Sequence, residues 1–331
     1  MQTVIKKALK SFLPPKYYAW LKSLKNRAQG RSDEIEVNWS SFIGGKKNKF
    51  SLNLLPSFRA EHFPRLEMLP WLDQPDFKST IQKKLELKKI TPEEAKACEN
   101  YAENGYLILP RLLSEQFVDR VFSDYLNASQ NGVLKFNPGD RRFLNPHLLV
   151  PSVNELLKHD SLLKWIKLIF GGDVVPFQTI GAEFGSGQLA HSDAIHMTTH
   201  PHYYMAAAWV ACEDISPESG PLVYYPGSHR LPLYLSKEVG ILENEFKIRG
   251  YDIYSEKYEP FIAQKIQELK LKPFYFEAKK GDVLIWHYNL IHGGSTVKNP
   301  ELTRKSIVAH YFSKGVICYH DLAGVLAEVS R

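Results

Sequence analysis

The tripeptide His191-Ser192-Asp193, followed 101 positions later by His292, is the feature that most restricts how this chain can fold. In an extended strand the side chains at positions i and i+2 point the same way, so His191 and Asp193 can bind one ion while Ser192 faces elsewhere. The fold must then bring His292 alongside from a distant strand. Two imidazoles and one carboxylate with open coordination positions are the ligand set typical of non-haem Fe(II) oxygenases.

The sequence on either side of these ligands strengthens the motif. His191-Ser192-Asp193 is the only HxD or HxE tripeptide in the 331 residues. It lies close to a strand-like apolar run, 204–210, and a second run, 283–291, leads directly into His292. The pair Gly293-Gly294 that follows fits a tight turn or a close approach of another backbone segment.

Five other histidines are alternative ligands because they lie near the motif or on the same predicted strands: His196, His200, His202, His229 and His287. His287 precedes His292 by five positions, an odd offset that puts the two side chains on opposite faces of one continuous strand. We therefore expect His287 to pack or to meet solvent. For the other four, contact with a substrate and an ordinary loop or turn position both stay open.

The cysteines indicate no alternative metal site. Cys98, Cys212 and Cys318 are far apart and form no CxxC pair, so they are expected to be unpaired thiols in a reducing compartment. No apolar run approaches the roughly 18 residues that suggest a membrane-spanning helix, and no signal-peptide pattern follows the early lysines. The expected location is the cytoplasm.

Arg304 is a candidate for binding a carboxylate close to the metal. It precedes an apolar, β-prone segment, 306–312, and Ser306 lies on the same predicted strand face. A planar guanidinium holds a carboxylate by two parallel hydrogen bonds, and a nearby hydroxyl can add a third. The dicarboxylate 2-oxoglutarate fits this pair. The alternative is a surface ion pair with a neighbour such as Glu301.

Taken together, these residues resemble the phytanoyl-CoA dioxygenase family of Fe(II)- and 2-oxoglutarate-dependent oxygenases. The resemblance spans roughly residues 95 to 315 and follows the family's order. It rests on five segments: Glu103-Asn104-Gly105-Tyr106-Leu107-Ile108-Leu109-Pro110, His191-Ser192-Asp193, Ala208-Trp209-Val210-Ala211, Ser219-Gly220-Pro221-Leu222 through Pro226-Gly227-Ser228-His229, and Lys280-Gly281-Asp282-Val283-Leu284-Ile285 through His292-Gly293-Gly294 to Arg304.

The resemblance implies a role for each of the matching residues. His191, Asp193 and His292 would bind Fe(II), Arg304 would bind the distal carboxylate of 2-oxoglutarate, and Trp209 would line the co-substrate pocket. With O2 as the second co-substrate, such an enzyme hydroxylates an aliphatic C–H bond of a small-molecule or lipid-linked substrate and releases succinate and CO2.

One departure from the family pattern concerns the co-substrate. Family members often carry Ser or Thr two positions after the second ligand histidine, where this chain has Gly294. A hydroxyl contact to 2-oxoglutarate would then come from Ser295 or Ser306.

Two other functions remain as alternatives. One is a non-catalytic jelly-roll protein that binds a ligand or partner and retains the metal residues. The other is a cupin-like metalloenzyme that needs no 2-oxoglutarate, against which Arg304 and Trp209 argue.

The chain divides into segments of different character. Residues 1–30 form a predicted basic amphipathic arm, 31–94 a linker and wrapping extension, and 95–320 the oxygenase domain. The charged stretch 230–272 interrupts the predicted strands between the ligand positions, and we interpret it either as a lid over the metal or as a solvated surface excursion.

The basic charge is concentrated at the start of the chain. Residues 1–31 hold eight Lys or Arg and no Asp or Glu, which leaves 34 basic against 36 acidic residues elsewhere. Residues 1–25 can therefore lie on an anionic membrane surface, or pack on the catalytic body with their lysines solvated. Because the basic charge does not extend beyond the arm, we expect no nucleic-acid partner, and nothing indicates an obligate protein partner.

The pattern of elements predicts the fold class. Helices are expected over 92–104, from N-cap Ser114 to 126, and over 154–170. Six strands are expected after them: 174–184, 204–212, 222–225, 274–278, 283–291 and 306–312. A helical front and a β-rich second half predict an α+β protein with a mainly β core, a double-stranded β-helix (a cupin-like jelly roll) with flanking helices and a helical N-terminal extension.

Overall fold

The computed structural model describes residues 57–63, 66, 68–136 and 141–327. The predicted basic arm, its amphipathic helices and the first part of the linker lie outside the described residues. Among the residues described, none of the helices combines the length and apolar character needed to cross a bilayer.

The helices of the described chain are α1 Phe77–Glu86, α2 Pro92–Asn104, α3 Glu115–Gln130, α4 Pro151–Leu157, α5 Asp160–Phe170, α6 Glu243–Arg249 and α7 Tyr251–Glu268. The predicted start of α2 is confirmed: Thr91 and Glu94 form a reciprocal capping box ahead of the first turn. The helix ends at Gly105, whose left-handed conformation suits a residue without a Cβ. Ser114 caps α3 as expected, by accepting a hydrogen bond from the backbone of Phe117.

The single helix predicted over 154–170 is wrong. The structure has two helices, α4 and α5, separated at Lys158 and His159. His159 is extended and its ring nitrogen accepts a hydrogen bond from the backbone N–H of Ser161, so it caps a new helix instead of continuing the old one. An apolar periodicity that runs through such a cap does not show the break.

The strands of the described chain are β1 Tyr106–Leu109, β2 Arg142–Leu144, β3 Val174–Ala182, β4 Thr198–His200, β5 Met205–Ala211, β6 Leu222–Tyr224, β7 Phe274–Phe276, β8 Val283–His287, β9 His292–Gly294, β10 Ser306–Ser313, β11 Ile317–His320 and β12 Val325–Leu326. A six-stranded antiparallel sheet has the order β1-β8-β5-β10-β3-β2. A three-stranded sheet, β7-β6-β9, is extended by a single bridge between His191 and His292, and β12-β11-β4 form a third sheet.

The apolar core lies between the six-stranded sheet and the β7-β6-β9 sheet. Trp209 and Leu284 from the larger sheet share one buried cluster with Leu222 and Phe276 from the smaller one. Strand β5 is buried on both faces, and the outer face of β10 is covered by helices, where the Tyr311 hydroxyl donates to Leu157 O of α4. Two facing antiparallel sheets with helices outside confirm the predicted double-stranded β-helix.

The prediction of one strand over 283–291 is also wrong. Strand β8 ends at His287, a turn follows, and β9 starts at His292 in the other sheet. Asn289 stabilises this turn because its side-chain amide donates to the carbonyl oxygens of His229 and Leu231. His287 and His292 therefore lie on different strands, and the odd-offset argument does not apply to them.

The segment 230–272 forms α6 and α7 beside the metal-motif loop. Buried residues of α7, among them Tyr254, Tyr258 and Ile262, pack in one cluster with Ile195 and Ile291. One face of the inserted segment thus belongs to the core.

The described part of 57–71 lies against the jelly-roll domain. Phe63 stacks between the rings of His200 and Tyr319, and the Trp71 indole donates to Leu168 O. The guanidinium of Arg59 donates to Ile241 O.

Candidate metal centre

His191, Asp193 and His292 converge in one buried cluster. Each offers a ligand atom, and these atoms all lie within 4.8 Å of one another. Asp193 Oδ1 is 3.8 Å from His191 Nε2 and 3.7 Å from His292 Nε2. The backbone bridge between the two histidines holds them side by side, and Asp193 begins a short 3₁₀ turn directly after the extended Ser192. This arrangement can hold one metal ion with the rest of its coordination sphere open.

The tautomers of both histidines suit metal binding. His191 Nδ1 lies 2.9 Å from Leu189 O, and His292 Nδ1 lies 2.9 Å from Leu290 O. Since a carbonyl oxygen only accepts, each Nδ1 carries the proton and each Nε2 presents its lone pair to the metal position. Burial lowers the pKa of His191 well below its ordinary value, which keeps the ring neutral.

The carboxylate of Asp193 is divided between two environments. Oδ1 faces the histidines, whereas Oδ2 accepts a hydrogen bond of 2.8 Å from the indole N–H of Trp286. The Trp286 ring also packs on His292, with ring centroids 4.5 Å apart. His310 Nε2 lies 3.9 Å from Oδ2, and burial lowers the pKa of His310 to about 4, so this ring adds no positive charge.

Strand register explains how Trp286 and His310 reach the carboxylate. Ala207 on β5 has Trp286 of β8 as its cross-strand partner on one side and His310 of β10 on the other. All three side chains therefore point into the space between the sheets. The small methyl group of Ala207 leaves room between its larger neighbours. Neither Trp286 nor His310 was predicted from the sequence. A Trp within a buried strand needs a partner for its N–H, and this need is the signal that could have indicated Trp286.

Gly293 and Gly294 allow the segment before the metal motif to approach β9. A Cβ on Gly293 would lie 2.8 Å from Gln188 O, and one on Gly294 would lie 2.8 Å from Ser186 Oγ and 3.0 Å from Gly187 N. The predicted close backbone approach is confirmed. A Ser or Thr at position 294, which is frequent in the family, would require the segment 186–188 to shift away from β9.

Arg304 is buried beside the six-stranded sheet, immediately before β10. It is 4% exposed, which excludes the surface pair with Glu301, and no carboxylate of the described residues pairs with it. Nη1 donates to Gly220 O at 3.0 Å, while Nε is buried without a partner. Burial, with the nearby charge of Arg142, lowers the pKa of Arg304 to about 10, so the side chain is still a cation at neutral pH. A buried cation with an unused donor fits a carboxylate ligand.

The other residues proposed for the co-substrate lie close to this region. Ser306 is buried at the start of β10, opposite Ala211 of β5 and Ala182 of β3. Trp209 faces the same interior but is 2% exposed and packs edge-on against Phe276. Ser295 is half-buried, and its backbone N–H donates to Pro221 O. Their contacts with 2-oxoglutarate stay predictions.

The alternative histidines do not join the metal cluster of the described residues. The ring of His196 lies 5.9 Å from the ring of His191, beside the aromatic rings of α7. His200 stacks on Phe63, and the His229 ring nitrogen Nε2 lies 3.2 Å from Ala102 O. His287 is buried with Nε2 3.6 Å from Asp73 Oδ1, so it packs, as expected.

Two polar side chains near the metal position were not predicted. Gln188 Nε2 lies 3.2 Å from His191 Nε2. A metal ion bound to His191 Nε2 would displace this amide group. Arg142 on the edge strand β2 donates to Gln188 Oε1. Neither residue belongs to a motif with a recognisable spacing, so the sequence offered no signal for them.

Comparisons of sequence agree with the geometry. The family model described as Phytanoyl-CoA dioxygenase (PhyH) matches residues 95–306. The peroxisomal phytanoyl-CoA dioxygenase of Bos taurus is 23% identical over 256 residues, which cover 69% of this chain and 71% of the bovine protein.

Solved structures share the fold. The non-heme alpha ketoglutarate dependent carbocyclase SnoK from nogalamycin biosynthesis has a TM-score of 0.54 at 14% identity, covering 74% of this chain and 94% of SnoK. EctD from S. alaskensis, crystallised with 2-oxoglutarate and 5-hydroxyectoine, has a TM-score of 0.53 at 19% identity, covering 78% of this chain and 86% of EctD.

Proposed function

The chain belongs to the phytanoyl-CoA dioxygenase family of Fe(II)- and 2-oxoglutarate-dependent dioxygenases, and on that premise we propose that it hydroxylates an aliphatic C–H bond of a small-molecule or lipid-linked substrate. One observation carries the proposal: two imidazoles and a carboxylate converge on one point, and a buried cation that pairs with no carboxylate of the described residues lies in the same interior. Fe(II), 2-oxoglutarate and O2 supply the oxidising chemistry when bound, with succinate and CO2 as co-products.

The residues of this chain have four tasks in such a reaction. His191 and His292 bind the ferrous ion through Nε2, and Asp193 binds it through Oδ1. The Trp286 N–H holds the carboxylate in position by occupying Oδ2. Arg304 binds the distal carboxylate of 2-oxoglutarate, with a hydroxyl contribution from Ser306 or Ser295. Burial of all three ligands excludes water from the reacting centre.

A decarboxylation assay with two variants tests this function. Purified protein with Fe(II), O2 and carboxyl-labelled 2-oxoglutarate should release labelled CO2 slowly even without the true substrate. Asp193→Ala should reduce release to background because the metal is no longer held. Arg304→Gln should raise the KM for 2-oxoglutarate roughly 10- to 100-fold through the lost charged hydrogen bonds, while ferrous binding stays unchanged.

The same assay separates the alternatives. Ser192→Ala is the matched control, since Ser192 lies between the ligands but turns its hydroxyl towards Tyr258, and it should retain activity. Metal binding without any CO2 release would favour a non-catalytic binding protein. Full activity of Asp193→Ala would contradict the ligand assignment.

Two features of the chain give proposals about its surroundings. The segment 230–272 acts as a substrate-selecting lid, a role that its position beside the metal-motif loop supports.

The basic arm, 1–25, makes peripheral contact with an anionic membrane from the cytoplasmic side, which favours a lipid-linked substrate. Comparison of membrane and supernatant fractions, with and without residues 1–25, tests the second proposal.

A further inference from the structure

A cavity separate from the metal centre lies where the described N-terminal segment, 57–63, meets the start of the inserted segment, 230–272. Its volume is about 330 Å³, which is within the range of sites that bind small molecules. Its walls come from 59–63, from 233–238, and from His202 and Asp321. None of the proposed metal ligands lines it, and neither does Arg304. The cavity has no task in the reaction proposed above.

Arg59 contributes a buried cation to the wall of this cavity. The residue is 2% exposed, its Nη2 donates to Ile241 O at 2.8 Å, and its Nε lies 3.3 Å from Glu61 Oε1. Nη1 is buried and has no hydrogen-bond partner among the described residues. Because a buried donor without an acceptor is costly, a ligand oxygen at this position would stabilise the guanidinium.

Lys237 contributes a second cation. It is exposed, lines the same cavity and forms no ion pair with a carboxylate of the described residues. His202 adds no charge at neutral pH, because burial lowers its pKa. The cavity therefore carries two cations that still have hydrogen-bond donors available for an acceptor.

The carboxylates that line the cavity already have partners. Glu61 forms the ion pair described above. Asp321 is buried and accepts hydrogen bonds from the backbone N–H groups of Ala60 and Ser236, at 2.8 and 2.9 Å. Glu238 Oε2 accepts one from a backbone N–H of its own loop at 3.1 Å. The groups left for a ligand are mainly donors, and the three carboxylates disfavour a ligand of high negative charge.

The remaining wall of the cavity is apolar. Phe63 and Leu235 are buried, and Leu233 is half-buried. The Phe63 ring is held in place between the rings of His200 and Tyr319. A fixed apolar surface beside two cations fits a ligand that has an anionic end and an apolar body.

We propose that this cavity binds a small monocarboxylate with an apolar body, held at its carboxylate by Arg59 and Lys237 and along its body by the apolar wall. A single carboxylate supplies the acceptor that Arg59 Nη1 lacks. A neutral molecule pairs less strongly with the two cations, and a phosphate dianion meets more repulsion from the carboxylates. The ligand contacts both the N-terminal segment and the start of the inserted segment, and the proposal stands independently of the proposed function.

Two probes of equal length test the charge requirement. The full-length protein with Fe(II) bound is titrated calorimetrically under nitrogen with hexanoate and with hexanamide. Hexanoate should bind at least about tenfold more tightly, because only the carboxylate forms charged hydrogen bonds with both cations. Inorganic phosphate at equal concentration should not displace it. Equal binding of the two probes, displacement by phosphate, or no hexanoate binding would overturn the proposal.

Hydrogen–deuterium exchange locates the bound hexanoate. Exchange should slow in 57–63 and in 233–241, the two segments that meet at the cavity. Protection confined to the metal-motif loop, 188–196, would place hexanoate at the reacting centre instead and would count against the proposal.

Two variants change the cavity without altering the metal centre. Ala60→Leu fills part of the cavity and should weaken hexanoate binding at least about tenfold. Lys237→Met removes the exposed cation and should weaken binding roughly five- to tenfold. Because Lys237 is exposed, its variant keeps the test valid even if Ala60→Leu does not fold.

Two controls separate this cavity from other sites. Lys314→Met removes an exposed cation that does not line the cavity, and it should bind hexanoate as the parent protein does. Arg304→Gln should also keep the parent affinity, since Arg304 lies outside the cavity. The proposal fails if folded Ala60→Leu or Lys237→Met retains the parent affinity, or if Arg304→Gln loses it.

Discussion

At the scale of single residues, the second oxygen of Asp193 decides how firmly the carboxylate is held for a metal. The Trp286 indole is its hydrogen-bond donor and also packs on His292. Partners of this kind orient ligands, and their loss typically reduces metal affinity about 10- to 100-fold. Trp286→Phe keeps a ring against His292 but removes the N–H, so we expect a loss of ferrous affinity of that size, measured by anaerobic titration. Trp165→Phe, on α5, is the control and should bind iron normally; equal affinities would contradict the role of the indole.

Single residues also show which parts of the site a sequence can reveal. His191, Asp193 and His292 were predicted as a cluster because their residue types and spacing form a metal-ligand pattern, and the structure brings them together. The role of Arg304 followed from the family resemblance and stays a prediction. Trp286 was not predicted, because its partner is 93 positions away and depends on the register of β8 against β5. Cross-strand register is a tertiary property, and no local pattern encodes it.

At the scale of elements, helix α7 holds the loop that carries the metal motif. The Tyr258 hydroxyl accepts a hydrogen bond from the buried backbone N–H of Ser192 at 3.2 Å. Tyr258→Phe would leave that N–H without a partner, at a cost of about 1–3 kcal/mol in the free energy of unfolding. We expect ferrous affinity to fall as well, since the loop loses its anchor. Tyr275→Phe, at an exposed position of β7, should change neither the urea midpoint nor the iron titration.

The inserted helices also allow a test of the proposed lid. Helix α6 has no buried residue in the structure, whereas α7 is anchored in the core. Trypsin should therefore cut first after Lys247 or Arg249, both on α6. Closure over a loaded site predicts slower cleavage at these two positions when Fe(II) and 2-oxoglutarate are present, as measured by mass spectrometry. A rate that does not respond to loading would count against the lid.

Elements were predicted well where their ends carry local signals and poorly where they do not. The capping box at Thr91 and the turn at Gly105 define α2 from the sequence alone. The breaks after Leu157 and His287 depend instead on a histidine cap and on the amide of Asn289, which binds carbonyls some 60 residues away. The apolar pattern continues through both breaks. A prediction from periodicity therefore joined α4 with α5 and β8 with β9.

At the scale of the whole molecule, the fold places the candidate metal cluster beside an apolar interior that both sheets share. The fold class could be predicted because alternating and buried strands follow a helical front, and such strands must pair face to face. The same packing places many histidines where water cannot reach them. Their protonation therefore opposes folding, and the stability of the protein should depend on pH.

Two histidines remote from the metal illustrate this dependence. Burial lowers the pKa of His200 to about 4 and of His229 to about 3, with a smaller contribution from a neighbouring histidine in each case. Below the ordinary value of about 6.5 the unfolded chain binds these protons and the folded protein does not, so stability is complete above that pH and falls as the pH drops.

Each of these two histidines should remove about 2 kcal/mol from the free energy of unfolding between pH 7.5 and pH 5. Urea unfolding of the metal-free protein at a series of pH values measures the loss. His229→Gln should lower stability at pH 7.5, because packing against Gly105 is disturbed, yet show a shallower decline towards pH 5 than the parent protein. A free energy of unfolding that is constant from pH 7.5 to 5 would contradict the expectation that protonation of the buried imidazoles destabilises the folded protein.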